Sequence, residues 1–200
     1  MKLWKNTAPA GLKPLKGDVI TGDKVRLREK KLADARKDYQ WQSDAELARL
    51  DATRTLVLPF SVYLLDYATE IRRPKSSRYP LSIETLEGRH IGNCTCYDIN
   101  KRKGEAQLGI MIGDRDYWDR GYGADTITTI TDHFFLTSGF NRLYLKTLDW
   151  NLRAQQCFRK CGFTPCGEMK RNGQNFLLME LKREQWEENY SDKRGEVDKS

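Results

Sequence analysis

No apolar run in this 200-residue chain approaches the ~20 residues that a membrane-spanning helix requires. The longest, such as Leu56-Val-Leu-Pro-Phe60, fall far short, and residues 1–20 lack the continuous apolar core of a secretory signal. We therefore expect a cytoplasmic protein with no membrane contact. Histidine is scarce: His90 and His133 are the only two, and the five cysteines form no paired Cys-x-x-Cys framework, which argues against a structural metal site. Cys94 and Cys96 share one face of an expected strand, Cys157 and Cys161 are helical neighbours, and Cys166 stands alone. The odd count argues against a full disulfide framework and for reduced, partly buried thiols. Nothing in the sequence suggests a second domain or an internal repeat, and a 38% hydrophobic content is enough for one sizeable core, so one domain is expected.

Charge is plentiful but not one-sided. The net +7 is the difference between 35 basic and 28 acidic residues, and the excess is spread along the chain. Arg72-Arg-Pro-Lys75 with Arg78, and Lys101-Arg-Lys103, are the dense basic runs; both read as solvated loops, so a nucleic-acid partner is disfavoured. Composition divides the chain into an N-terminal arm over 1–19, a domain over 20–186 and a polar C-terminal tail over 187–200. Leu3, Trp4, Leu12 and Leu15 are the residues by which the arm could dock on the domain or on a partner subunit.

The informative segment is Leu108-Gly-Ile-Met-Ile-Gly-Asp-Arg-Asp-Tyr-Trp-Asp-Arg-Gly-Tyr-Gly-Ala124, where an apolar strand enters a glycine-containing loop that opens a helix. Gly121 and Gly123 can take backbone angles closed to other residues, so successive N–H groups can converge on phosphate oxygens at the positive end of that helix. Ile127, Ile130, Phe134 and Phe135 mark one helical face, Gly139 suits the helix end, and Arg142 to Leu148 alternates as a further strand. A P-loop is excluded because Ala124, Asp125 and Thr126 follow where Gly-Lys-Ser/Thr would be needed. A dinucleotide fingerprint would need a third glycine at 126 and an early position in the chain.

These residues resemble the GNAT N-acetyltransferases, whose acetyl-CoA loop is written Gln/Arg-x-x-Gly-x-Gly/Ala; here it reads Trp118-Asp-Arg-Gly121-Tyr-Gly123. Tyr117 to Thr126 is close to the Tyr-Trp-Gly-Lys-Gly-Tyr-Gly-Thr-Glu-Ala of the branch with ribosomal-protein N-terminal and spermidine acetyltransferases, with Asp119 replacing a glycine. A second stretch, Asn151-Leu-Arg-Ala154 through Phe158 to Gly162-Phe163, is similar to the family's Asn-x-x-Ala…Tyr-x-x-x-Gly-Phe. Val25-Arg-Leu-Arg28, Tyr39-Gln-Trp41 and Asp44-Ala-Glu46 resemble the branch's first strand and early helix, so the likeness covers roughly residues 20 to 184. Tyr79–Leu86 and His90–Tyr97 read as strands joined at Glu87-Gly88, and Phe176–Leu181 as a late strand before Trp186. The resemblance implies an α+β, three-layer fold in the order strand, two helices, three antiparallel strands, helix, strand, helix and two strands: a mixed, mostly antiparallel sheet flanked by helices and splayed between its fourth and fifth strands.

It also implies a chemistry, the direct attack of a neutral amine on the thioester of acetyl-CoA. Expected cofactor contacts are Ile110, Met111 and Ile112 on the strand, Trp118, Asp119, Arg120, Gly121, Tyr122, Gly123 and Ala124 in the loop, then Asn151 and Phe158. A backbone N–H near Met111 or Ile112 would stabilise the oxyanion. Glu105 is the expected catalytic base, with Glu84 as an alternative, and Asn151 is expected to contact the cofactor arm or to cap its helix. Phe158 stands where many members carry the tyrosine that protonates the thiolate, leaving Cys157, Tyr144 and Tyr122 as neighbouring acids.

For the acceptor, Trp41, Tyr63, Tyr67 and Tyr79 could line a cleft or serve the core, and Asp44, Glu46 and Asp51 could attract a cation. A small amine, an antibiotic amine and a protein N-terminus stay open, the last favoured by the branch likeness. Phe158 and Asp119 keep a noncatalytic acyl-CoA-binding or regulatory protein as the alternative. The late strand or the arm could support a homodimer.

Overall fold

The computed structural model describes residues 19–73 and 77–197, with side-chain surroundings as far as residue 190. Eight strands are present among them: β1 (Ile20–Thr21), β2 (Val25–Glu29), β3 (Arg78–Thr85), β4 (His90–Asn100), β5 (Glu105–Ile112), β6 (Arg142–Leu148), β7 (Thr164–Arg171) and β8 (Gln174–Lys182). Six helices accompany them: α1 (Ala35–Gln42), α2 (Ala45–Leu50), α3 (Phe60–Arg72), α4 (Tyr122–Thr137), α5 (Leu152–Lys160) and α6 (Arg183–Val197). The strands form one sheet in the order β1-β2-β3-β4-β5-β6-β8-β7. Every neighbouring pair is antiparallel except β5 and β6, which run parallel with a helix crossing between them.

The expected strands recur with small extensions, except that the one read as Tyr79–Leu86 is shifted to Arg78–Thr85 and leaves Leu86 in the turn, and β6 keeps the bounds read from its alternation. Three features go beyond expectation: the short β1, the third early helix α3, and α6, which carries 187–197 as helix where a polar tail was expected. Residues 1–18 of the N-terminal arm, with its docking residues, lie outside the described residues, as do Pro74 and Lys75 of the first basic run.

Helix α4 has the face anticipated from its periodicity, with Ile127, Ile130, Phe134 and Phe135 all buried against the sheet. They meet Leu27, Ile83, Leu108, Leu143 and Met179 in one continuous core. On the opposite face α1 and α3 enclose Ala35, Tyr63 and Tyr67 in a smaller cluster. Beside it runs a buried polar network. Asp34 receives two guanidinium bonds from Arg28 at 2.7 and 2.8 Å and the Ser82 hydroxyl at 2.8 Å, while Asp38 receives Lys30 at 2.6 Å and Tyr67 at 2.8 Å. Cys94 and Cys96 are buried in the main core, where desolvation lifts the Cys94 thiol to about 12.

The feature that positions the site is a split in the sheet. β6 pairs with β5 only from Glu105↔Arg142 to Leu108↔Leu145. Beyond Leu108, β5 stays on β4 while β6 leaves with β8. These are the fourth and fifth strands counted from Val25, so the splay lies where the resemblance placed it.

Candidate active site

The hydrogen-bonding sense along β5 follows from its ladder. The Gly113 N–H donates to the Ile91 carbonyl at 2.9 Å on the β4 side. Alternation then turns the N–H and C=O of Met111 and Gly109 to β4 as well, and those of Ile110 and Ile112 into the gap that β6 has vacated. The Ile112 carbonyl there accepts the indole N–H of Trp118 at 2.7 Å. This corrects one expectation: Met111 spends its N–H in the ladder, and the free donors on the open edge are Ile110 and Ile112. Met111 nevertheless lines the gap.

A cavity of about 370 Å³ occupies the gap. Its walls come from four places: Leu47, Leu50 and Asp51 at the end of α2; Ile110 to Ile112; the loop at Tyr117 to Asp119 with Gly121, Gly123 and Ala124; and Asn151 with the first two turns of α5. The cavity passes through the sheet. Ile112 lies on the α4 face, since a Cβ on Gly123 would stand 3.9 Å from its Cγ1. Met111 lies on the α1 face, as its register partner Asn93 bonds Asp38 of α1.

At the α4 mouth Gly121 adopts φ +86° and is the N-cap of α4. Having no side chain, it offers no cap, which leaves the first-turn N–H groups of Tyr122, Gly123 and Ala124 open to an anion at the positive helix end. Asp125 fixes this end by accepting the N–H groups of Asp23, Lys24 and Val25 at 3.2, 2.8 and 3.0 Å. Lys24 reaches over the loop, its Cε 3.4 Å from where a Gly121 Cβ would stand. Asp119 takes φ +56°, which explains why the branch places glycine there and why an aspartate is tolerated. Its carboxylate is turned to solvent, 4.0 Å from Arg153. The Arg153 guanidinium packs 3.7 Å from the Trp118 ring centre and ties α5 to the loop.

Asn151 does two things at once: it lines the cavity, and its side-chain oxygen caps α5 by accepting the Ala154 N–H at 3.2 Å. The amide N–H₂ is left for a ligand. Phe158 is buried and reaches the cavity from α5. Of the three neighbouring acids, Cys157 alone is in the wall. A hydrogen bond from Cys161 holds its thiol below the ordinary range, against the opposing pull of burial.

Several expected residues are placed elsewhere. Glu105 is at the opposite end of β5, held by Arg142 at 3.0 Å and Lys103 at 3.8 Å. Five residues of extended chain, ~16 Å, separate it from Ile110, so it is not positioned as the base. Glu84 is bound to Arg28 at 2.7 Å. Arg120 bonds the Asp116 carbonyl at 3.0 Å and covers Tyr117, outside the cavity wall. The Tyr122 ring packs edge-on against Tyr117 at 4.9 Å, and Tyr122 is not part of the cavity wall. Trp41, Tyr63 and Tyr67 are buried and Tyr79 packs on the main core; none of the four lines the cavity. Asp44 and Glu46 are both taken by Arg115, at 2.9 and 2.8 Å.

Sequence reading missed Leu47, Leu50, Arg153, Gln156, Cys157 and Lys160 as wall residues. The helical spacing of Arg153, Gln156, Cys157 and Lys160 was the available signal, since it puts them on one side of α5.

The architecture defines an acyltransferase-like site: a splayed sheet, a bare strand edge and an uncapped helix N-terminus at one slot. The acetyltransferase (GNAT) domain model matches residues 24–164, and the chain belongs to that family. A spermine/spermidine N(1)-acetyltransferase of Bacillus subtilis (strain 168) is 26% identical over 85 residues, 42% of this chain and 56% of the relative. The chain thus matches little more than half of that relative's length. Spermidine N-acetyltransferase from Vibrio cholerae, solved with CoA and spermine, is similar at TM-score 0.71 and 17% identity over 81% of this chain and 97% of that one. Aminoglycoside acetyltransferase AAC(6')-Ib, solved with coenzyme A, is similar at TM-score 0.68 and 18% identity over 82% and 98%. At such identities the structural likeness speaks for the fold. No helix among the described residues is long and apolar enough to cross a membrane.

Proposed function

We propose that the chain is an acetyl-CoA-dependent N-acetyltransferase whose acceptor is a small cationic primary amine. The observation that carries this reading is the slot itself, which joins an uncapped helix N-terminus on one face of the sheet to a carboxylate-bearing mouth on the other. The residues present suit the cosubstrate. The α4 first-turn N–H groups would hold its pyrophosphate, with Lys24, Arg153 and Lys160 supplying positive charge nearby. The Ile110 and Ile112 N–H groups and the Ile110 carbonyl would take the pantetheine amides in place of the missing strand, as sheet augmentation does, the Ile112 carbonyl being held by Trp118. Bound there, acetyl-CoA supplies an activated acetyl thioester. The Ile110 or Ile112 N–H would then steady the carbonyl oxygen as charge develops, and the walls of α2 would align the amine for attack.

The acceptor class is supported by the α2 mouth, where a carboxylate faces the slot, and by relatives named for spermine, spermidine and aminoglycosides. A protein N-terminal amine is the competing acceptor. The test is incubation with acetyl-CoA and a panel of polyamines, aminoglycosides, amino acids and N-terminal peptides, scored by product mass and coenzyme A release. Polyamine or aminoglycoside acetylation is expected. Peptide acetylation alone would replace the acceptor class, and binding without any transfer would favour the noncatalytic alternative.

A further inference from the structure

With Glu105 and Glu84 held in ion pairs away from the slot, the expected bases are spoken for. Asp51 is differently placed. It follows the last turn of α2 and lines the slot beside Leu47, Leu50, Ile110 and Met111. Its helix is fastened at both ends: Arg115 binds Asp44 and Glu46 at the start, and Arg49 stacks 4.6 Å from the Trp150 ring centre near the end. Trp150 belongs to the turn after β6, so α2 bridges the two sides of the split and fixes where Asp51 stands. Asp51 also lies at the face opposite the anion-binding helix end, the mouth at which a thioester would emerge if phosphates occupy the other.

Resting on the acetyltransferase reading above, we propose that Asp51 is the catalytic base: its carboxylate pairs with the acceptor ammonium at the α2 mouth and takes the proton that blocks attack.

The surroundings suit that task. No hydrogen-bond donor among the described residues occupies the carboxylate, in contrast to Asp44, whose oxygens are taken by Arg115 and by backbone N–H groups. The charged and titratable groups facing it are Arg78 of β3 and Tyr97 of β4. Although open to water at the mouth, Asp51 is hemmed by the slot walls. Desolvation lifts its carboxyl from 3.8 to about 6, with Arg78 pulling the other way. A rise from 3.8 to about 6 makes the carboxylate about a hundredfold stronger as an equilibrium base, while leaving it largely ionised at neutral pH. The reaction balances. Asp51 takes one proton from the ammonium, and the freed nitrogen lone pair forms the C–N bond. The C–S bond breaks with its electrons on sulfur. The proton shed by nitrogen as the amide forms goes to the thiolate, and the proton on Asp51 passes to water.

The experiment is kcat/KM against pH for the full chain with acetyl-CoA and spermidine, for wild type, Asp51→Asn and Asp51→Glu. Acetyl-CoA affinity is measured in parallel. The wild-type rate should rise through about pH 6, as a base must be deprotonated. Asp51→Asn should lose that limb and fall by ~100-fold in kcat/KM with acetyl-CoA binding unchanged, and Asp51→Glu should regain part of both. An active wild type with an Asp51→Asn profile that keeps its acid limb overturns the proposal. So does a change confined to the KM for spermidine, which would leave Asp51 with ion pairing alone. No amine-dependent turnover by the wild type would overturn the acetyltransferase reading and the role of Asp51 with it.

Discussion

Replacing Gly121 by valine separates binding from folding. Gly121 sits at φ +86°, where a β-branched residue is strained by about 2 kcal/mol. Space is not the obstacle, since the nearest atom to an added Cβ is the flexible Lys24 Cε at 3.4 Å. The folded chain should therefore survive with its melting temperature lowered by ~4–8 °C. The ligand should fare worse. If the strained loop withdraws two of the three first-turn N–H groups, each worth about 1.5 kcal/mol as a donor to an ionised oxygen, the total of about 3 kcal/mol weakens acetyl-CoA binding by at least ~100-fold. Gly173 provides the matched control. It has φ +78° in the β7–β8 turn with no atom within 4 Å of an added Cβ, so Gly173→Val should cost similar stability and leave the affinity alone. Calorimetric titration with acetyl-CoA, alongside thermal melts of both variants, makes the comparison. A folded Gly121→Val protein that binds within twofold of wild type would refute the assignment of the loop as the phosphate site.

Other outcomes follow from the same geometry. Glu105→Gln should change kcat/KM by less than ~threefold and leave the pH–rate profile in place, because its carboxylate is bound to Arg142 at the far end of β5; a lost limb would restore it as the base. Iodoacetamide should label Cys157 and the exposed Cys166 before the buried Cys94 and Cys96, with acetyl-CoA protecting Cys157 alone, read by peptide mass. Equal protection of Cys166 would count against the slot as the cofactor site. Asp34→Asn should cost about 3 kcal/mol in urea unfolding, as it leaves the buried Arg28 guanidinium with Glu84 as its one carboxylate partner, beside the Glu29 carbonyl. Burial pushes the Asp34 carboxyl up, but bonds from Arg28, the Lys31 N–H and Ser82 outweigh it and hold the group well below its ordinary value. Its contribution is thus complete above the unfolded value near pH ~4 and is lost as pH falls toward the folded one, so wild type should lose stability in acid more steeply than Asp34→Asn.

The parts of this protein that were legible in the chain are those whose cause is local. Gly121 announces a positive-φ helix entry because few other residues tolerate it, whereas Gly123, expected to share that freedom, sits inside the first turn of α4 without a positive φ. The apolar spacing of Ile127, Ile130, Phe134 and Phe135 identifies the buried face of α4. Alternation bounded β6, and Asn151 was readable as the cap of α5. Even Asp119 in a glycine position became intelligible once its φ was seen, since aspartate tolerates the left-handed region.

What sequence spacing could not assign were the roles that depend on reach across the sheet. Glu105 and Ile112 share one strand, yet β-geometry puts them some seven residues of extended chain apart, ~23 Å, and Arg142 from a neighbouring strand captures the carboxylate. Asp44, Glu46 and Asp51 are similar acids on a short stretch. Arg115 binds the first two and leaves the third facing the slot, a choice made by a residue 64 or more positions further along the chain. Sequence alone therefore determined the family-like loop, the periodic elements and the kind of ligand the helix end suits, because dihedral limits and side-chain periodicity act between near neighbours. Tertiary structure alone decided which carboxylate meets the slot and which N–H groups of β5 are free, because both depend on where β6 parts from β5 and on how α2 is fastened across that gap.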